Sequence, residues 1–206
     1  MAEVEFVTAW RQTSEISLRR DKLLQAYLDL HPAHHETTER WPIKGEMRVR
    51  LSLATTLPPA QVSSSVLSIV LDAHQRVLYL WPTERSGSIH QALIGGRPNA
   101  GETPEQTVVR EVGEETGWLV EPIRMIGFRH FVHIEPWSNE SDRPYPDFIQ
   151  PIFVSRAVRF EPERAIPEDR IPAEFIGFEQ AERATDSAQR PLLRAAKLAF
   201  VERLAR

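Results

Sequence analysis

Residues 95–118 read GGRPNAGETPEQTVVREVGEETGW. Its middle specifies a helix by local signals. Thr103 is a good N-cap, Pro104 suits the first helical position, and Gln106 completes a capping box with Thr103. Gly117 is placed to end the helix in a left-handed conformation. The predicted helix spans about 103–116. At about 100° per residue, Val108, Val109, Val112 and Thr116 share a side suited to packing on a sheet. Glu111, Glu114 and Glu115 share a neighbouring side, at spacings i, i+3 and i+4. Like charges so placed oppose helix formation by roughly 0.2–0.5 kcal/mol per pair, so a sequence chosen only for helix stability would not gather them. Crowded oxygen ligands suit a hard cation such as Mg²⁺. The glycine pair before the helix lets backbone groups come close to a metal or to phosphates. The plainer reading is a solvated acidic face, with Arg110 pairing Glu114 at i+4 and Glu102 pairing another base.

On either side of this helix the chain alternates strands and helices. Residues 65–71 and 76–81 are apolar, branched and separated by Asp-Ala-His-Gln, which predicts a hairpin. Residues 91–94 form a short strand leading into Gly95-Gly96. Beyond the helix, one or two strands are expected within 118–134 and another at 148–160, joined by a polar loop long enough to be functional. A last strand is expected at 173–178, followed by a short helical turn, and a terminal helix at 189–205. Towards the N-terminus, 14–31 reads as an amphipathic helix capped by Ser14 and stopped by Pro32. Next come a loop over 31–46, a strand over 47–53 and a connector over 56–64. Mixed strands and helices give an α/β or α+β class. Residues 1–60 read as an N-terminal extension and 61–206 as the main domain.

The bulk numbers restrict the function. The chain has 206 residues, 41% of them hydrophobic and 26% charged, enough for one domain with a real core. A net charge of −4 lacks the basic surplus of a general nucleic-acid binder, although a local basic cluster or a bound metal can still hold a small anion. The absence of cysteine removes disulfides, thiolate nucleophiles and Cys-zinc sites. No secretory signal pattern or membrane-length apolar run is visible. The expectation is a cytoplasmic protein with no membrane or nucleic-acid partner.

The stretch 95–118 resembles the Nudix box, Gly-x5-Glu-x7-Arg-Glu-U-x-Glu-Glu-x-Gly-U, where U is apolar. Gly96, Glu102, Arg110, Glu111, Val112, Glu114, Glu115 and Gly117 match position by position, and Trp118 takes the last apolar place. A match at so many fixed positions is far more specific than a lone GxGxxG. The likeness extends over about 61–206. It implies a Nudix-type α/β/α sandwich around a mixed sheet, with an N-terminal helical extension outside it.

The resemblance also implies residue roles. In Nudix hydrolases the glutamates matching Glu111, Glu114 and Glu115 bind one or more divalent cations, Mg²⁺ or Mn²⁺, often joined by the carbonyl at the position of Gly95. The residues matching Glu102 and Arg110 support the site, the arginine orienting a metal-binding glutamate. Water attacks one phosphorus of a nucleoside diphosphate linked to another moiety. The general base stays open between Glu111 and Glu115 in the box and Glu135, Glu140, Asp142 and Asp147 in the long loop. A carboxylate near 163–174 could add a metal ligand. The chain departs from the common pattern at Ile94, where many members have proline, and at Asn99, where many have an acid. Both bear on loop shape and substrate rather than on the reaction.

Residues for substrate contact are less determined. Arg97, Arg129 and Trp137 are the candidates for phosphate and base, drawn from a wider set that includes Trp81, Phe131, Arg85 and Arg124. For each of these, ordinary packing or surface placement is the competing reading. His130 and His133, three apart in a strand, point to opposite faces and do not share a metal. His34-His35 is expected in a loop.

The expected function is hydrolysis of a phosphoanhydride in a small nucleotide-like substrate. The alternative is a non-catalytic module that senses nucleotides or ADP-ribose; such a module would be expected to lose some of the metal-binding glutamates, and all are present. Isopentenyl diphosphate isomerase chemistry relies on a cysteine, which is missing. RNA decapping is weakened by the acidic balance. Neither the flanking signature of coenzyme A pyrophosphatases nor the proline spacing of the ADP-ribose pattern is evident. The N-terminal helix is suited either to cover the domain or to build a homodimer.

Overall fold

The computed structural model describes residues 22–41, 45–81, 92–134, 144–167 and 170–205. Helix α1 (Lys22–Leu30) is the described part of the predicted N-terminal helix; Ser14 lies outside the described residues. Strands β1 (His35–Trp41), β2 (Gly45–Leu53), β3 (Val66–Leu71), β4 (Val77–Leu80) and β5 (Ile94–Gly96) follow. Then come α2 (Pro104–Thr116), β6 (Trp118–His133), β7 (Asp147–Phe160), β8 (Ala173–Ile176), α3 (Phe178–Ala184) and α4 (Arg190–Leu204).

The strands form one mixed sheet in the order β1-β2-β6-β7-β3-β4-β8, with β5 paired to β3. The β3–β7 pair is parallel and the other strand pairs are antiparallel. Alternation along β3 separates two cores. Leu67, Ile69 and Leu71 face Leu192, Leu193, Ala196 and Phe200 of α4. Val66 and Val70 face the other way, towards Leu24 and Tyr27 of α1 and Val108 and Val112 of α2. Helices therefore cover both faces of the sheet, giving the expected α/β/α sandwich.

One local expectation changes. Residues 35–41, read as loop, form the edge strand β1, paired residue for residue with β2 from His35↔Leu51 to Trp41↔Gly45. Its sequence shows no apolar alternation because β1 lies at the end of the sheet and the side chains described on it are exposed or half-buried. Residues 118–133 form a single long strand, with register shifts at Leu119/Val120, Pro122/Arg124 and Met125/Gly127. Pro122 cannot donate to a ladder, so it sits at such an irregularity. Residues 45–53 belong to the same sheet as the box region: β2 pairs with β6, and Met47, Val49 and Leu51 are buried in the α4-side core.

Candidate functional site

Helix α2 is built by the local signals expected of it. Thr103 accepts from the Gln106 backbone N–H while the Gln106 side chain accepts from the Thr103 N–H. Gly117 ends the helix at φ 77°, in the left-handed region. The cap and stop fix the rotation of the helix, with Val108 and Val112 against the sheet and the acidic residues alongside.

Arg110 is the hub of the acidic flank. Its Nε donates to Glu102 Oε1 at 2.7 Å and its Nη2 to Glu102 Oε2 at 3.0 Å, a bidentate clamp. Nη1 donates to Glu111 Oε1 at 3.0 Å and to Glu114 Oε2 at 2.9 Å. Nη2 also donates to the Arg97 carbonyl at 2.7 Å, so the guanidinium ties the loop before the helix to the helix itself. Glu102 is held further by the Asn99 N–H at 2.7 Å and the Thr107 hydroxyl at 3.2 Å. Asn99, noted in the sequence as a departure, thus supports Glu102.

The electrostatics follow this geometry. The hydrogen bonds from Arg110, then from the Asn99 N–H, pull the Glu102 carboxyl down to about 2. The same bonds to Glu102 hold the Arg110 guanidinium above its ordinary value. Glu111 goes the other way: burial raises its carboxyl above the usual range despite Arg110. It is half-buried against β5, where a Cβ on Gly96 would stand 2.3 Å from Glu111 Oε1. Gly96 is required because the carboxyl group occupies the space a side chain would take. A half-buried carboxylate gains by meeting a cation.

Among the described residues, no three acidic or histidine side chains converge closely enough to enclose a metal ion. The donor chemistry nevertheless fits a hard divalent cation. The box offers carboxylate oxygens, two of them, on Glu111 and Glu114, already brought to one nitrogen of Arg110. Glu115 is half-buried one residue further on. Gly95, at φ 148°, pairs with Leu67 on β3.

The remaining sequence candidates disperse. The Arg97 side chain is exposed near the box. Arg129 is 2% exposed, pairs with Glu39 on β1 at 3.1 Å and lies 4.7 Å from the Phe131 ring; the structure groups it with the sheet edge. Trp137, Glu135, Glu140, Asp142 and Arg85 lie outside the described residues. Asp147 is buried on β7, 3.7 Å from His130 Nε2. Phe131 is buried and stacked on Phe148 at 4.5 Å, so it offers no face to a base. Trp81 donates to Glu174 at 3.0 Å and Arg124 pairs with Glu202 at 2.9 Å. His35 is in β1 rather than in a loop, and His34 faces the Ala188 carbonyl at 3.2 Å.

The segment 161–171 was not foreseen as a support. Ile166 N–H donates to the Glu114 carbonyl and Ile171 N–H to the Glu115 carbonyl, each at 3.0 Å, satisfying the end of α2 beneath two of its acids. Arg164 lies across Gly113, with Nε 2.9 Å from where a Cβ would stand. The mid-helix glycine was the one available signal, since it costs about 1 kcal/mol relative to alanine and asks for a packing reason. Because the obstructing atoms are the end of a flexible, part-exposed side chain, Gly113→Ala is expected to leave stability unchanged or raise it by up to about 1 kcal/mol. A thermal melt checks this; a clear loss would show that Arg164 cannot yield.

The sequence matches the family model for the NUDIX domain over residues 62–196. No curated protein sequence matches the chain. Among solved structures, the Bacillus subtilis pyrophosphohydrolase BsRppH is similar at 15% identity and TM-score 0.50, covering 82% of this chain and 96% of that one. A NUDIX hydrolase from Nitrosomonas europaea aligns at 22% identity and TM-score 0.42, covering 68% and 89%. A MutT protein from Methanosarcina mazei aligns at 18% and 0.43, covering 70% and 98%.

Proposed function

The chain belongs to the Nudix family, and from that premise we propose that it hydrolyses a phosphoanhydride bond of a nucleoside diphosphate linked to a second moiety, with Mg²⁺ or Mn²⁺ held at Glu111, Glu114, Glu115 and the Gly95 carbonyl. The observation that carries this reading is the Arg110 network, in which one guanidinium is clamped by Glu102 and presents Glu111 and Glu114 together. A surface salt-bridge helix has no need of such convergence, or of a glycine at position 96 to admit the Glu111 carboxyl group.

A bound divalent cation would offset diphosphate charge and lower the pKa of an attacking water. The protein's own part is orientation. Arg110 fixes two carboxylates and the preceding loop, Glu102 fixes Arg110, and the N–H groups of Ile166 and Ile171 anchor the helix end that carries Glu114 and Glu115. Glu111 and Glu115 are the box residues available as general base. The exposed Arg97 is proposed to meet a substrate phosphate.

The test is a screen of nucleoside triphosphates, nucleotide sugars, ADP-ribose and dinucleoside polyphosphates. Turnover should fall to background when the divalent metal is chelated and return on adding Mg²⁺ or Mn²⁺, while the melting curve of the metal-free protein stays cooperative. Chelator-insensitive turnover would contradict the mechanism. Ligand binding without turnover in any metal would replace the enzyme by a sensing module.

A further inference from the structure

A cavity of about 530 Å³ lies between α1 and the β1–β2 end of the sheet. Its size is that of a ligand pocket rather than of a packing fault. Gln25, Leu28 and Asp29 of α1 form one wall, the turn 31–35 a second, and Arg50, Ser52 and Phe128 the floor. Apart from Phe128, every lining residue precedes position 62, where the family match begins. The N-terminal extension therefore builds this cavity.

Its chemistry suits a neutral polar guest. Arg50 is the one lysine or arginine that lines it, and Arg50 Nε already donates to Glu36 at 2.5 Å. Asp29 is a second carboxylate in the lining, so a phosphate would meet more negative charge than positive. Hydroxyls and ring nitrogens meet partners instead. His31 and His34 each spend one ring nitrogen, on Thr56 Oγ1 at 3.1 Å and on the Ala188 carbonyl at 3.2 Å, and among the described residues each keeps the other. His130, the partner of Arg50 across β2 and β6, is fully buried on the same face, and neither of its ring nitrogens is hydrogen-bonded. Packing alone has no use for such a group.

The sheet connects the cavity to the box. Gly96 pairs with Val66, Pro151 with Phe128 and Phe128 with Ser52, while Leu67 pairs with Ile152 one residue on. One row of the sheet thus runs from the glycine against Glu111 to the cavity floor, and Val66 and Phe128 face the same side. Val66 and Ser52 are three strand spacings apart, roughly 14 Å. A molecule with its diphosphate at Glu111 can lay its nucleoside over β6 and β2. We propose, resting on the hydrolase reading, that this cavity takes the nucleoside of the substrate while the box holds the diphosphate, so that the N-terminal extension sets substrate choice.

Adenosine, guanosine, cytidine and uridine, offered without metal, test the cavity apart from the chemistry. At least one is expected to bind and to shift the ring resonances of His31 and His34 in NMR spectra. Gln25→Trp and Leu28→Trp each place an indole on the α1 wall. They are expected to weaken that binding, and to raise KM for the nucleotide substrate with kcat kept, by at least about tenfold. Inhibition by inorganic pyrophosphate, which has no nucleoside, should stay as it is, and thermal melts should stay cooperative. The inference is overturned if none of the four nucleosides binds, if both variants leave nucleoside binding and KM unchanged, or if pyrophosphate inhibition weakens in step with KM; turnover by the parent chain would still uphold the hydrolase reading. Nucleoside binding lost in the two variants of a chain that turns over no substrate would uphold the cavity and sink the hydrolase.

Discussion

Glu114→Gln is expected to lower metal-dependent turnover by at least about 100-fold while the protein stays folded. The substitution keeps shape and leaves a side-chain oxygen able to accept from Arg110 Nη1, the present partner at 2.9 Å. What it removes is a negative charge. If Glu114 holds the cation, losing that charge withdraws a few kcal/mol of transition-state stabilisation, and each ~1.4 kcal/mol is tenfold in rate. The fold should not suffer, because Glu111 and Glu114 are like charges at i, i+3 and their repulsion disappears. The measurement is kcat at saturating Mn²⁺ or Mg²⁺ beside a thermal melt. A variant with near-parental kcat would remove Glu114 from the metal site and leave the Arg110 network as an ion-pair cluster on the surface of the helix.

The largest stability effect is expected at Gly95. A Cβ there would stand 2.1 Å from the Val66 carbonyl oxygen and 3.0 Å from Leu67 Cα, on a backbone at φ 148°. Both obstacles are main chain of β3, a strand buried along its length, so neither can step aside as the end of Arg164 can at Gly113. Gly95→Ala must therefore break the β5–β3 pairing or strain it, at about 2–3 kcal/mol. For a chain of this size that is on the order of 5–10 °C in Tm. Activity should fall as well, since β5 carries Gly96 against Glu111 and the Gly95 carbonyl is a proposed ligand. Unchanged melting and turnover in Gly95→Ala would mean that β5 shifts freely, and the reason offered for the glycine pair would fail.

The contrast between these two glycines marks what can be read from a sequence. The pair at 95–96 stood out because it sits at a fixed distance from the helix and its acids. Gly113 has no local explanation, because the side chain it abuts, Arg164, lies about fifty residues away along the chain. Likewise the acids of α2 were visible as a helical flank, whereas the amides of Ile166 and Ile171 that anchor their carbonyls have no local signature. Arg129 was weighed for phosphate because arginine is suited to it. Its burial beside Glu39 depends on β1 lying two strands away, and β1 was missed because an edge strand whose described side chains are exposed or half-buried carries no apolar period.

Helix α2, its ends, the arrangement of its acids and the family they mark are all legible within a short stretch of chain. Caps, propensities and i, i+4 spacing act within a few residues, so they are present in the chain before it folds. Tertiary structure alone decided the order of strands, the place of β1 and β2 in the sheet, the partners of Arg129 and Arg164, and the burial that raises the proton affinity of Glu111. Those depend on segments far apart in sequence meeting in space, and the desolvation that shifts a carboxyl group exists only once they have met.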